Sequence, residues 1–73
     1  MKVLVTGAAG QVGSRLVRQL LKSNHQVRAA VLTNDPLISR LKGLEIEIVE
    51  GNLLDLEFSE KILDGVDAVI HTA

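Results

Sequence analysis

Val3-Leu4-Val5-Thr6-Gly7-Ala8-Ala9-Gly10-Gln11-Val12-Gly13 carries a short apolar, β-branched run into three glycines spaced three apart, and the chain continues directly into an amphipathic stretch. The run reads as a strand buried on both faces, and the amphipathic stretch reads as a helix. A helix start leaves backbone N–H groups without partners and carries a partial positive charge, so a diphosphate binds there without a basic side chain. In that reading Gly7 makes the tight turn off the strand. Gly10 lets the backbone approach a pyrophosphate, and Gly13 lets the helix pack closely on the sheet. The competing reading is a glycine-rich strand-to-helix turn with no ligand; the strand before the motif and the helix after it favour the phosphate site.

Working outward, the apolar positions Val12, Leu16 and Leu20, with Val17 and Leu21 beside them, recur at helical spacing from Gln11 to Ser23. Arg15, Arg18, Gln19 and Lys22 then face water. Ser23-Asn24-His25 makes a turn, with His25 solvated, and Gln26 to Thr33 carries a second strand. Asp35 before Pro36 predicts a short helix with Asp35 at its N-cap and Pro36 in its first position, ending by Gly43. Glu45-Ile46-Glu47-Ile48-Val49-Glu50 alternates acidic and apolar residues, as a strand near a sheet edge does. Asp55 is expected to cap a third helix with Phe58, Ile62 and Leu63 inward and Gly65 at its close. Ala68-Val69-Ile70 forms a fourth strand. The fold class is therefore α/β, in the order β-α-β-α-β-α-β, with a parallel sheet and right-handed crossovers.

Composition narrows the functional classes. At 73 residues the chain is one domain at most, spanning 1–73, with a marginal core. A net charge of −1 without a basic block argues against nucleic acid or an anionic membrane as partner. Without cysteine there is no disulfide framework and no thiolate metal site. The two histidines have no ligand partners at metal spacing, so no metal is expected. No apolar run reaches a membrane span and no signal-peptide pattern opens the chain, so a soluble cytoplasmic protein is the expectation.

Thr6-Gly7-Ala8-Ala9-Gly10-Gln11-Val12-Gly13 resembles the TGxxGxxG signature of the short-chain dehydrogenase/reductase superfamily. Gly51-Asn52-Leu53-Leu54-Asp55 and Val66-Asp67-Ala68-Val69-Ile70-His71-Thr72-Ala73 are similar to the GDLxD and VDxVxHxAA signatures of its extended and atypical branches, the epimerases and dehydratases among them. The resemblance covers the whole chain in order. It implies a partial Rossmann fold, half of a three-layer sandwich, with strands in the spatial order 3-2-1-4 and the glycine turn at the switch point. It also implies that a family member continues through a second, longer half. The cofactor implied is NAD or NADP. The contacts implied are Gly7, Ala9, Gly10, Gln11, Val12 and Gly13 in the turn, Asn52 and Leu53 at the adenine edge, and Ala73 after the fourth strand. His71 ends that strand beside the cofactor cleft.

The residue that separates NAD from NADP is an acid or an arginine at the end of the second strand. Val31 and Leu32 occupy those places, and Thr33, Asn34 and Asp35 come a residue or more late. In one reading Thr33 or Asn34 contacts the ribose; in the other, which is favoured, they only make the turn before the helix, and the cofactor preference stays open. The family's tyrosine general acid/base and YxxxK motif have no counterpart, because the chain contains no tyrosine. Hence no catalytic residue is assigned. Three readings are compatible with the residues: a dinucleotide-binding half-domain, an excised or engineered fragment that folds and self-associates without ligand, and half of an oxidoreductase or epimerase that needs a complementary half. A homodimer through the open edge of the fourth strand is expected, since Ala68-Val69-Ile70 has no guarding lysine or proline.

Overall fold

The structure, a computed structural model, describes residues 1–72. Strand β1 (Lys2–Thr6) leads through the glycine turn into helix α1 (Gln11–Lys22). Strand β2 (Gln26–Val31), a 3-10 turn (Ile38–Leu41), β3 (Glu47–Glu50), helix α2 (Leu56–Ile62) and β4 (Ala68–His71) complete the chain order. All strand pairs are parallel, and the sheet order is β3-β2-β1-β4. Val5 stands between Ala29 and Ile70.

Alternation along the strands divides the core into two layers. Val3, Val5, Val27, Ala29 and Val31 point to the face covered by α1 and the 3-10 turn, where Ala8, Ala9, Val17 and Leu41 meet them. Leu4 and Ala30 point to the other face, under Ile62 of α2 with Phe58, Val49 and Val66 alongside. The central strand is therefore sealed on both sides, with Val3, Leu4 and Val5 no more than 2% exposed. This is the three-layer, 3-2-1-4 arrangement expected from the sequence.

Several local expectations are corrected. The two Asp residues that read as caps behave differently. Asp55 accepts from the Phe58 amide three residues on (3.2 Å) and starts α2. Asp35 accepts from the Leu37 amide only two residues on (2.9 Å), which is an Asx turn. The segment after it forms a four-residue 3-10 turn whose N-cap position is Leu37, in place of the expected helix. Strand β2 ends at Val31, two residues earlier than the sequence predicts, and β3 begins at Glu47. Val12 and Leu63, expected inward, face out. Val12 is 70% exposed because the buried side of α1 runs through Gly13, Ser14 and Val17, and Leu63 is 49% exposed as the C-cap of α2. His25 is half-buried, with Nδ1 shut away from solvent and without a hydrogen-bond partner among the described residues.

One buried charge ties the layers together. Arg28 points to the α2 face, where Nη1 donates to the carbonyls of Ile62 (2.6 Å) and Asp64 (2.8 Å), and Nε donates to Glu47 Oε1 (2.7 Å). A guanidinium there satisfies carbonyls at the C-terminal end of α2 and opposes its dipole. The Arg28 hydrogen bond holds the Glu47 carboxyl below its ordinary value, with the charges of Arg28 and Lys2 acting in the same direction.

Candidate functional site: the glycine turn and its cleft

The glycine turn is shaped by its backbone. Gly7 adopts φ +65°, and a Cβ there would lie 2.9 Å from Thr72 Oγ1. A Cβ at Gly13 would lie 2.2 Å from the Gly7 carbonyl oxygen and 2.9 Å from the Ala8 Cα, so α1 rests directly on the turn. Gly10 is the N-cap of α1. The Gly10 amide donates to the Gly7 carbonyl (3.1 Å), and its own carbonyl accepts from Ser14 (2.9 Å).

Among the described residues no side chain caps α1, and its first turn contains no acid. Intrahelical bonding starts at the Ser14 amide, so the amides of Gln11, Val12 and Gly13 precede the first bonded turn. A Cβ at Gly10 would meet only the Gly7 oxygen, at 3.3 Å, and otherwise open space. The backbone is thus bare where an anion would approach, and this donor set fits a diphosphate.

Thr72 is a member of this site that motif reading alone does not single out. Thr72 Oγ1 donates to the carbonyls of Thr6 (2.6 Å) and Gly7 (3.2 Å), and its amide also donates to Thr6 O (3.2 Å). The turn is therefore clamped to the end of β4. Nearby, Thr6 Oγ1 and His71 Nδ1 are hydrogen-bonded between adjacent strands.

Beside the turn, at the C-terminal ends of the strands, lies a cleft of about 270 Å³ lined by Gly7, Ala30, Val31, Leu32, Gly51, Leu53, His71 and Asp35. Open parallel sheets bind ligands at this position, where the strand order reverses between β1 and β4. The volume is just below that of pockets for drug-sized ligands. A larger hollow of about 460 Å³ lies by Lys2, Asn24, His25 and Glu45, at the opposite ends of β1 and β2, away from the bare helix start.

The residues expected to contact a cofactor are distributed unevenly. Gly7, Ala9, Gly10, Gln11, Val12 and Gly13 together form the turn and the first turn of α1, and Leu53 lines the cleft. Asn52 does not line it: its Oδ1 accepts from the Leu54 amide (2.9 Å), and its carbonyl accepts from Asp55 N (2.9 Å). Ala73 lies outside the described residues. Asp35, read in the sequence as a helix cap, lines the cleft. Among the described residues no group of His, Cys, Asp and Glu could hold a metal ion, and no helix is long and apolar enough to cross a membrane.

Comparison with known proteins agrees with this geometry. The model of a family described as NmrA-like matches residues 1–73. Sterol demethylase protein B of Methylococcus capsulatus is 40% identical over 73 residues, covering 100% of this chain and 22% of that protein. UDP-glucose 4-epimerase of Neisseria meningitidis serogroup B is 38% identical over 82 residues, covering 99% of this chain and 24% of that one. The crystal structure of the Bordetella bronchiseptica enzyme WbmH in complex with NAD+ superimposes with a TM-score of 0.87 at 31% identity, covering 99% of this chain and 25% of WbmH. The chain thus spans about a quarter or less of each of these relatives.

Proposed function

The chain belongs to the NmrA-like family, and from that premise we propose that it binds the adenosine diphosphate portion of NAD or NADP. In this reading the amides of Gln11, Val12 and Gly13, with the Gly10 backbone, hold the pyrophosphate. Leu32 and Leu53, which line the cleft, flank the adenosine in this reading, while Asn52 is taken up by the turn into α2. The observation that carries the reading is the α1 start: bare, uncapped and free of acidic residues, and opening beside an apolar cleft at the switch point. That solved WbmH contains NAD+ supports the choice of cofactor class.

When bound, the nicotinamide cofactor supplies hydride transfer. This chain's own residues supply binding and orientation. The tyrosine general acid/base implied by the resemblance to short-chain dehydrogenase/reductases has no counterpart among these 73 residues, and we propose that they transfer no hydride by themselves. A second copy is the proposed protein partner, meeting the first along β4, which pairs with β1 alone among the described strands.

Calorimetric titration with NAD of the wild-type chain and of Gly10→Asp tests the site. Position 10 has φ −69° and ψ 172°, which any residue adopts, and a Cβ there would lie 3.3 Å from the Gly7 carbonyl oxygen, so a small shift of that carbonyl lets Asp serve as an N-cap. Its carboxylate takes the amides meant for phosphate and repels the ligand. Binding should be lost while thermal stability holds or rises. Equal binding by both chains would remove the phosphate from this turn.

A further inference from the structure

The cleft contains an acid that sequence position concealed. After β2 ends at Val31 the chain reverses: the Asp35 amide donates to the Leu32 carbonyl (3.1 Å), and Asn34 takes the left-handed conformation at φ 59°. This brings Asp35, four positions past the strand, into the lining of the cleft that Leu32 and Gly7 also border. Its backbone is held again by the Ile38 amide, which donates to its carbonyl (3.2 Å), and its Oδ1 accepts from Leu37 N (2.9 Å). Among the described residues no donor is bonded to Oδ2. Among the residues lining the cleft there is no lysine or arginine, and Asp35 is the one acid.

We infer that Asp35 selects NAD over NADP. The inference rests on the dinucleotide reading above and assigns the selecting residue at that site. A ribose 2′-hydroxyl can donate to the unengaged Oδ2, whereas a 2′-phosphate brings like charge to a carboxylate in a cleft lined by no lysine or arginine. Val31 and Leu32, in the places where strand-end selectivity is usually read, offer apolar walls and no discrimination. The Asx turn supplies it instead, because the bond to Leu37 fixes one carboxylate oxygen and leaves the other for the ligand.

The test is a titration of the full chain with NAD+ and NADP+ at about pH 8, where an ordinary imidazole is neutral, for wild type and Asp35→Asn. Asparagine keeps an oxygen to accept from Leu37, and retention of the Leu37 amide resonance would verify the turn. Wild type should bind NAD+ at least about tenfold more tightly than NADP+, a difference of about 1.4 kcal/mol. In Asp35→Asn the ratio should fall to about threefold or less, chiefly by a gain for NADP+, and added salt should shrink the preference in wild type alone. Comparable wild-type affinities, or a ratio unchanged in Asp35→Asn, would overturn this assignment and leave the binding site standing. Failure of wild type to bind either dinucleotide would overturn both readings.

Discussion

Alanine is favoured over glycine inside a helix by about 1 kcal/mol, so Gly13 in α1 looks like an easy place to gain stability. The structure reverses that expectation. Its Cβ would meet backbone on two sides, the Gly7 oxygen at 2.2 Å and the Ala8 Cα at 2.9 Å, and neither can swing aside as a side chain tip can. Overpacking of this kind costs about 1–3 kcal/mol, more than the propensity gain. Gly13→Ala should therefore lower the urea midpoint, by about 1 kcal/mol or more of net stability, and an increase would contradict the close packing of helix on turn. The positive φ of Gly7 and the packing of Gly13 against Gly7 and Ala8 are legible in the sequence because they are set within a few positions of chain. Thr72 is not, since its hydroxyl reaches the Thr6 and Gly7 carbonyls across 65 or more positions of chain. Asp35 misleads for a local reason: an Asx turn and a helix cap begin alike, with an Asp oxygen accepting from an amide two or three residues on, and here only a four-residue 3-10 turn follows.

Among the elements, the alternation of Glu45 to Glu50 correctly places β3 at an edge, but it does not reveal what Glu47 does there. Arg28 lies on β2 and its carbonyl partners lie 34 and 36 positions on, at the end of α2, so no local pattern announces the link. A buried guanidinium that ties β2, β3 and α2 together should be costly to remove. Arg28→Ala strips charge-assisted bonds worth about 1.5–3 kcal/mol each in favourable cases, though carbonyls at a helix end recover part of this from water. Glu47 makes a pH signature. Its folded pKa lies below the ordinary 4.5, mainly through the Arg28 hydrogen bond. The ionised form is thus favoured by folding, and its contribution is complete above the unfolded value and lost as pH falls through the lower folded value. The stability difference between wild type and Glu47→Gln should be constant near neutrality and shrink below about pH 4.5. A difference that grows on acidification would mean that the pair opposes folding.

For the whole molecule, 3-2-1-4 order leaves two edges of different character. Along β3, Glu47 and Glu50 are exposed and guard the edge, whereas β4 presents Val69, half exposed beside the buried Leu4. An edge of that kind invites pairing. Association that hides about 500 Å² of apolar surface yields roughly 12 kcal/mol, comparable with the ~4–15 kcal/mol cost of bringing two chains together, so backbone pairing decides the balance. Light scattering across concentration should show wild type reaching dimer mass and Val69→Lys remaining monomeric; a folded wild-type monomer at every concentration would remove the proposed edge contact. The larger claim is that one end of the sheet, where the bare start of α1 meets the small cleft, is built for an adenosine diphosphate. Mapping of backbone amide shifts during a titration with ADP tests it most directly. The amides of Gly10, Gln11, Val12 and Gly13 should move together with those of Leu53 and Asp35, while the opposite end around Lys2, Asn24 and His25 stays still. Shifts confined to that opposite end, or no shifts at saturating ADP, would contradict it.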